Sequence, residues 1–389
     1  MPEQNLRRGP SSPGRRLGDG ARRAQRAARQ LIARVRPAWA AGAKEGEGRP
    51  PQLPSGRERV ARPDLGVACI LDPTFDAALR HEFDLISFGR DDWRAVLERR
   101  QPDFLLVESA WRGNGGRWEG AIASEHGPQR ALRELVEWCR EQSVATVFWS
   151  TVDPNSLNLF VEAALLFDHV FTVDEASIER YRGRGHPSVA VLPFAAQPWT
   201  HNPILFDGAR KRRVGFADSA LGGIRVSREQ AETILEPAVP MGLEIVSLSQ
   251  SDPKHRFPAS LAGSVVESLS YDDVVVADKL YKVAVALTPA GPSSTICPRR
   301  IFELLASGAT VLTERSAAIE RLVGSGMVFE SASAEETKTL LRFLLRNDEL
   351  RDRTAVRAVR KVIRDHTYGH RLDTILRTLG LPTEARRPT

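Results

Sequence analysis

Between Val283 and Glu314 the chain reads VAVALTPAGPSSTICPRRIFELLASGATVLTE, and this stretch constrains the fold more than any other. Val283 to Leu287 has the length and apolar character of a buried parallel strand. Ser293 to Thr295 offer N-cap hydroxyls and Pro298 suits a first helical turn, so a helix is expected to begin close to Thr295. Ile301, Leu304 and Leu305 then fall at i, i+3 and i+4, giving one face for packing on a sheet. Gly308 ends the helix before a second strand, Thr310 to Thr313. In such a βαβ unit the helix N-terminus lies at the carboxyl end of a strand. Free N–H groups and the positive end of the helix dipole favour an anion there. Arg299 and Arg300 add charge beside it, with Ser294 and Thr295 as further phosphate contacts. One turn further in, Glu303 is placed to accept the paired hydroxyls of a ribose. An ordinary crossover helix with solvated arginines and a surface glutamate fits the same pattern.

The rest of the chain repeats this alternation. Leu65 to Leu71 and Phe104 to Glu108 read as strands with a helix, Asp91 to Arg100, between them. Helix Ala131 to Gln142, strand Ala145 to Trp149, helix Leu157 to Phe167 and strand His169 to Val173 follow, then Glu175 to Arg182 and Val189 to Leu192. A second series has strands Arg213 to Ala217, Leu243 to Ser247, Val265 to Ser268 and Met327 to Phe329, with helices Tyr271 to Leu280 and Ala334 to Leu345. The expected fold is α/β: two doubly wound Rossmann-like domains facing across a cleft. The expected divisions are a tail at 1–63, a first Rossmann-like domain at 64–205, a second with a closing helix at 206–380, and a short tail at 381–389. Asn202 to Lys211 supplies the connection.

The run RRIFELLASG followed by a strand resembles the donor-binding helix of glycosyltransferases with the two-domain B-type fold, in particular the spore-maturation, CgeB-like group. Further blocks resemble that group in the same order: VFWSTVDP, LFDHVFTVDEASIERYRGRGH, VLPFAAQPWTHNPI, HRFP and DHTYGHRLDTIL. The resemblance covers roughly Asp64 to Leu379. It implies a sugar transferred from a nucleoside diphosphate held by the domain at 206–380 to a carbohydrate or metabolite acceptor on the domain at 64–205, with Glu303 holding the donor ribose. The chain departs from the group at Asp218, Pro292 and Ser150 to Val152, where the group carries other residue types.

Catalysis is expected to be independent of metal and cofactor, since no Asp-x-Asp triplet is present to hold a divalent ion on a diphosphate. Arg299, Arg300, Lys279 and Lys282 are the candidate cations, and a solvated surface role is open for the two lysines. Glu108 ends a buried strand and is the first candidate for the general base, followed by Asp153 and His201. A purely structural role in the interdomain linker is open for His201. Trp111, Trp118 and Trp149 are candidates for stacking on an acceptor ring. Two rivals remain: an inactive descendant that binds a nucleotide or sugar as a partner protein, and another two-domain enzyme such as a nucleotide-sugar epimerase.

Cys69, Cys139 and Cys297 form neither a disulfide framework nor a zinc spacing, which suits a reducing cytoplasm. No run of about 18 apolar residues is present to span a membrane. Charge is unevenly placed: residues 1–63 carry a balance of +10 and the remainder −4. Arg15 to Ala40 reads as a basic amphipathic helix suited to an anionic membrane surface, joined by a linker, Ala41 to Pro63. A solubilising tail is the alternative. Nothing beside these arginines resembles a nucleic-acid-reading element, so no nucleic-acid partner is expected.

Overall fold

The computed structural model describes residues 60–123, 129–205, 209–218, 226–247, 257–268, 275–288 and 293–384. The basic helix expected at Arg15 to Ala40, most of the linker after it, His255 and Arg256 of HRFP, Pro292 and the side chain of Asp218 lie outside the described residues. So do residues 206–208 of the expected interdomain connection and 271–274 of the expected helix Tyr271 to Leu280; within the latter, 275–277 are helical.

Two six-stranded sheets, parallel throughout, organise the described chain. The first contains β1 (Arg62–Ile70), β2 (Phe83–Ser87), β3 (Phe104–Glu108), β4 (Ala145–Ser150), β5 (His169–Thr172) and β6 (Val189–Val191), in the order β2-β1-β3-β4-β5-β6. The second contains β7 (Arg212–Asp218), β8 (Leu243–Ser247), β9 (Val265–Ser268), β10 (Tyr281–Val285), β11 (Val311–Glu314) and β12 (Phe329–Ser331), in the order β12-β11-β10-β7-β8-β9. The expected pair of doubly wound domains is therefore present.

Period-2 alternation divides each strand between two cores. Ala68, Ile70, Leu105, Val107, Phe148 and Val170 face one side of the first sheet, against helices Trp93–Arg100, Arg130–Glu141 and Leu157–Ala164. Val67, Cys69, Phe104, Leu106, Val147 and Phe171 face the other, against helices Pro73–Leu79 and Tyr368–Leu379. That last helix follows the second sheet in sequence yet packs on the first, through Tyr368, Leu372, Ile375 and Leu376. Arg371 fastens it, donating to the carbonyls of Pro193 and Phe194 at 2.7 Å each. In the second sheet, Ala284 and Val311 pack under helix Arg299–Ala306, while Val214, Ile245 and Val283 pack under the helical stretch 228–241.

Several local expectations change. Helix Pro73–Leu79 and strand β2 fill the interval between Leu71 and the helix expected from Asp91, where no element was expected. The helix of the βαβ unit begins at Arg299, with Pro298 at the N-cap position, rather than near Thr295. Ser293 to Thr295 stay outside the helix, with 294 and 295 in a bend, and their hydroxyls bond to the other half of the molecule. Strand β10 begins at Tyr281, two residues before the expected Val283, so Lys282 lies within it. Gly308 does terminate that helix, at φ +70°, a left-handed conformation that favours glycine.

Candidate active site

In both sheets the strand order reverses beside the first strand, between β1 and β3 and again between β7 and β10. Connections leaving the carboxyl ends of such strands diverge to opposite faces and leave a crevice between them. A cavity of about 510 Å³ lies at both reversals, bounded by Asp72, Glu108, Thr151, Ala217, Leu287 and Arg299 among others. It is large enough for a small-molecule ligand.

On the first-sheet wall, Glu108 ends β3 and is 5 % exposed. Its Oε2 accepts the Asp72 main-chain N–H at 3.1 Å and its Oε1 accepts the Thr151 hydroxyl at 3.1 Å. Burial, reinforced by the nearby Asp72 carboxylate, pushes the Glu108 carboxyl up to about 8. It is therefore protonated at neutral pH and becomes a competent base just above it. Asp153 also lines the cavity, with Oδ2 accepting from the Thr172 hydroxyl at 2.6 Å and the Tyr181 hydroxyl at 3.0 Å. Burial raises its carboxyl as well.

Of the three tryptophans, only Trp111 reaches the cavity. It is 38 % exposed and rests edge-on against Phe160, 5.2 Å between centroids. Trp118 is fully buried, with its indole N–H on the Phe88 carbonyl at 3.0 Å. Trp149 is buried between Phe75 and Tyr368, with its N–H on the Leu192 carbonyl at 3.0 Å. Both belong to the core, where indole area is worth more in packing than at a solvated wall, so neither can stack on an acceptor as expected from sequence.

The second-sheet wall is more tightly paired than the sequence suggests. Arg299 and Arg300 both line the cavity. Arg300 donates from Nη1 to Asp278 at 2.9 Å and to Glu303 at 3.0 Å, and a second bond from Nη2 completes a fork on Asp278. Burial works to lower the Arg300 guanidinium, but the two carboxylates outweigh it and hold the group firmly protonated. Glu303 is 1 % exposed; Arg299 Nε lies 3.0 Å from its Oε1. Its carboxylate is thus gathered behind the two arginines and is not part of the cavity lining. His201, expected as a candidate base, sits 3.8 Å from Glu303 in the same buried cluster. Burial lowers its imidazole to about 4, so it is neutral at pH 7 and away from the cavity.

Lys279 and Lys282 do not reach the cavity either. Lys279 Nζ donates to Asn202 Oδ1 at 3.1 Å and to the Ile204 carbonyl at 2.9 Å, fixing the segment between the sheets. Lys282 pairs with Asp348 at 3.7 Å. Neither cation faces the cavity, and the solvated surface role left open for them does not describe Lys279, which is buried with its ammonium held by the linker.

Ser294 and Thr295 meet the first-sheet half directly. Thr295 Oγ1 accepts the Glu175 N–H at 2.9 Å, and the Ser294 hydroxyl donates to the Glu175 carboxylate. Ser293, read in the sequence only as an N-cap hydroxyl, donates to Asp174 at 2.8 Å. Asp72 was missed. Its signal was legible: Asp-Pro directly after an apolar strand marks a strand-to-helix turn. Among the described residues, no group of three or more His, Cys, Asp or Glu is placed to hold a metal ion. None of the described helices is long and apolar enough to cross a membrane.

Residues 248–377 match the family model for glycosyl transferase-like proteins, a third of the chain. No curated protein matches. Among solved structures, a glycosyltransferase from Rickettsia africae ESF-5 is 12 % identical with a TM-score of 0.50, covering 81 % of this chain and 89 % of that one. HepE of Anabaena in complex with UDP-glucose is 13 % identical with a TM-score of 0.51, covering 81 % of this chain and 91 % of that one. HepE in complex with UDP has 14 % identity and a TM-score of 0.50. At these identities the likeness establishes the architecture, which is the two-domain B-type glycosyltransferase fold.

Proposed function

We propose that this protein is a glycosyltransferase of the CgeB-like kind, moving a sugar from a nucleoside diphosphate to a hydroxyl of a carbohydrate or metabolite acceptor. The observation that carries the reading is the cavity at the strand-order reversals of both sheets, with a buried carboxyl on one wall and a helix N-terminus with Arg299 on the other. The glycosyl transferase-like match over residues 248–377 falls on the half that supplies the second wall, and HepE, of the same architecture, has been solved with UDP-glucose.

In this reading the diphosphate lies against Arg299 and the first turn of helix Arg299–Ala306, where dipole and guanidinium stabilise the charge that grows on the leaving group. The acceptor lies against Trp111. Its hydroxyl oxygen forms the new bond to the anomeric carbon, its proton passes to the Glu108 carboxylate, and the nucleoside diphosphate leaves with the electrons of the old C–O bond. No metal is needed for this step. The basic segment before residue 60 serves as a peripheral contact with anionic membrane, and vesicle binding that survives deletion of residues 1–60 would reject that role.

The test is direct. Thermal-shift titration with nucleoside diphosphates and their sugars should raise the melting temperature with one of them. Release of nucleoside diphosphate on adding acceptor should then follow, and should be lost in Glu108→Gln. A second reading, a nucleotide-binding partner protein without turnover, is favoured by the withdrawal of Glu303 from the cavity behind Arg299 and Arg300. Ligand-induced stabilisation without release for any acceptor would select it.

A further inference from the structure

Asp72 makes more polar contacts at the cavity than its position after a strand requires. It occupies the N-cap position of helix Pro73–Leu79, yet its side chain caps nothing there. Instead Oδ2 accepts the N–H of Trp111 at 3.0 Å, and Oδ1 accepts those of Arg112 at 3.2 Å and Gly113 at 2.9 Å. Its own N–H goes to Glu108. A carboxylate that collects three successive amides fixes the path of that segment.

The segment is committed to this geometry from its far end as well. Asn114 receives the Leu71 N–H on Oδ1 at 3.0 Å and donates from Nδ2 to the carbonyls of Cys69 and Phe88. Gly113 takes φ +46°, and a Cβ there would stand 2.8 Å from Ile70. Only glycine lets the 111–113 turn close over the end of β1.

We propose that Asp72 is the positioning residue of the acceptor wall: its amide anchors the Glu108 carboxyl and its side chain gathers the turn that carries Trp111, so one residue sets both. The inference rests on the reading of Glu108 as acceptor base. Asp72 also acts on that base through charge. The groups that face Glu108 are Asp72, which disfavours its ionised form, Arg299 across the cavity, which favours it, and the Tyr368 hydroxyl from the last helix. Removing the Asp72 charge should therefore ease ionisation of Glu108, while a residue that merely shaped the loop would leave it unchanged.

The experiment follows the Glu108 carboxyl itself. Its protonated C=O stretch is assigned by pH-difference infrared spectroscopy as the band missing from Glu108→Gln. In Asp72→Asn, and in Asp72→Ser as a shorter neutral acceptor, the titration midpoint should fall by about one pH unit. If nucleotide-sugar turnover is present, the pH–rate profile should move with it, and kcat should fall more than the donor KM changes. An unmoved midpoint in a folded variant overturns the proposal, as does failure of both variants to fold, which would make Asp72 a structural tie alone. A midpoint that moves as expected while Glu108→Gln retains turnover would uphold the coupling and reject Glu108 as the base.

Discussion

Arg321 Nη1 lies 2.6 Å from Glu175 Oε2, joining the helix Ala317–Leu322 of the second-sheet half to the turn after β5 of the first. Ser294 is shared by both, donating to Glu175 and accepting from Arg321. Both charged side chains are substantially exposed, at 55 % and 38 %, so the pair contributes little to folding, about 1 kcal/mol at most. Its consequence is local. Glu175 and Asp174 occupy the hydroxyls of Ser293, Ser294 and Thr295 in the segment just before Arg299, where a diphosphate would approach. Glu175→Ala is expected to change the melting temperature by no more than a few degrees and to raise nucleoside diphosphate affinity severalfold, measured by calorimetric titration. Weaker nucleotide binding in that variant would mean that the bridge supports the donor site rather than competing for it.

Glu303 invites a different expectation from the one its spacing suggests. A glutamate free to grip ribose should lose on the order of 2 kcal/mol of nucleotide affinity on conversion to Gln. Here the carboxylate balances Arg299 and Arg300 in a buried cluster. Removing one partner of such a network leaves uncompensated charge and costs about 3–5 kcal/mol. Glu303→Gln should therefore lower the unfolding free energy by that order in denaturant melts before any ligand is added. A variant as stable as wild type but blind to nucleotide would restore the ribose role.

Much of this arrangement was legible in residue patterns because burial dictates composition. β3, β4, β8, β9 and β10 are short apolar or β-branched runs, and parallel strands covered on both faces leave few other sequences possible. β2 escaped because FDLIS is short, with Asp84 interrupting it, and lies at the sheet edge. The helix start at Arg299 escaped for a tertiary reason: Ser293 to Thr295 are good caps in isolation, but their hydroxyls find partners in Asp174 and Glu175, some 120 residues away. Placement of Glu108 followed from its position at a strand end. The fates of Trp118, Trp149 and Lys279 depended on which neighbours they meet, which no local spacing encodes.

A transferase that relies on a helix N-terminus and Arg299 for its leaving group should not depend on divalent metal. Turnover in excess EDTA is expected to stay within about twofold of the untreated rate, because the charge on the departing diphosphate is met by fixed protein groups. Abolition by chelator and recovery with Mg²⁺ would reject that mechanism and require carboxylates recruited with the substrate.

Glu108 should also leave its mark on folding, independently of any substrate. Its carboxyl titrates at about 8 in the folded chain, against an ordinary value of 4.5. A group whose folded value is raised contributes stability that is fully present below the unfolded value and is lost as pH rises through the folded one. Between pH 4.5 and about 8 this side chain should withdraw at most about 5 kcal/mol, since a pH unit is worth about 1.4 kcal/mol. Glu108→Gln keeps the shape and cannot ionise. Denaturant unfolding of both proteins at pH 5.5 and pH 9 should show the wild type losing ground to the variant by several kcal/mol at the higher pH. Over the same interval the turnover of the wild type should climb as its base form accumulates, and the variant should be slower by about a hundredfold or more. Parallel stabilities across the two pH values would show that Glu108 is already ionised at neutral pH, and its assignment as a base with an elevated value would fail.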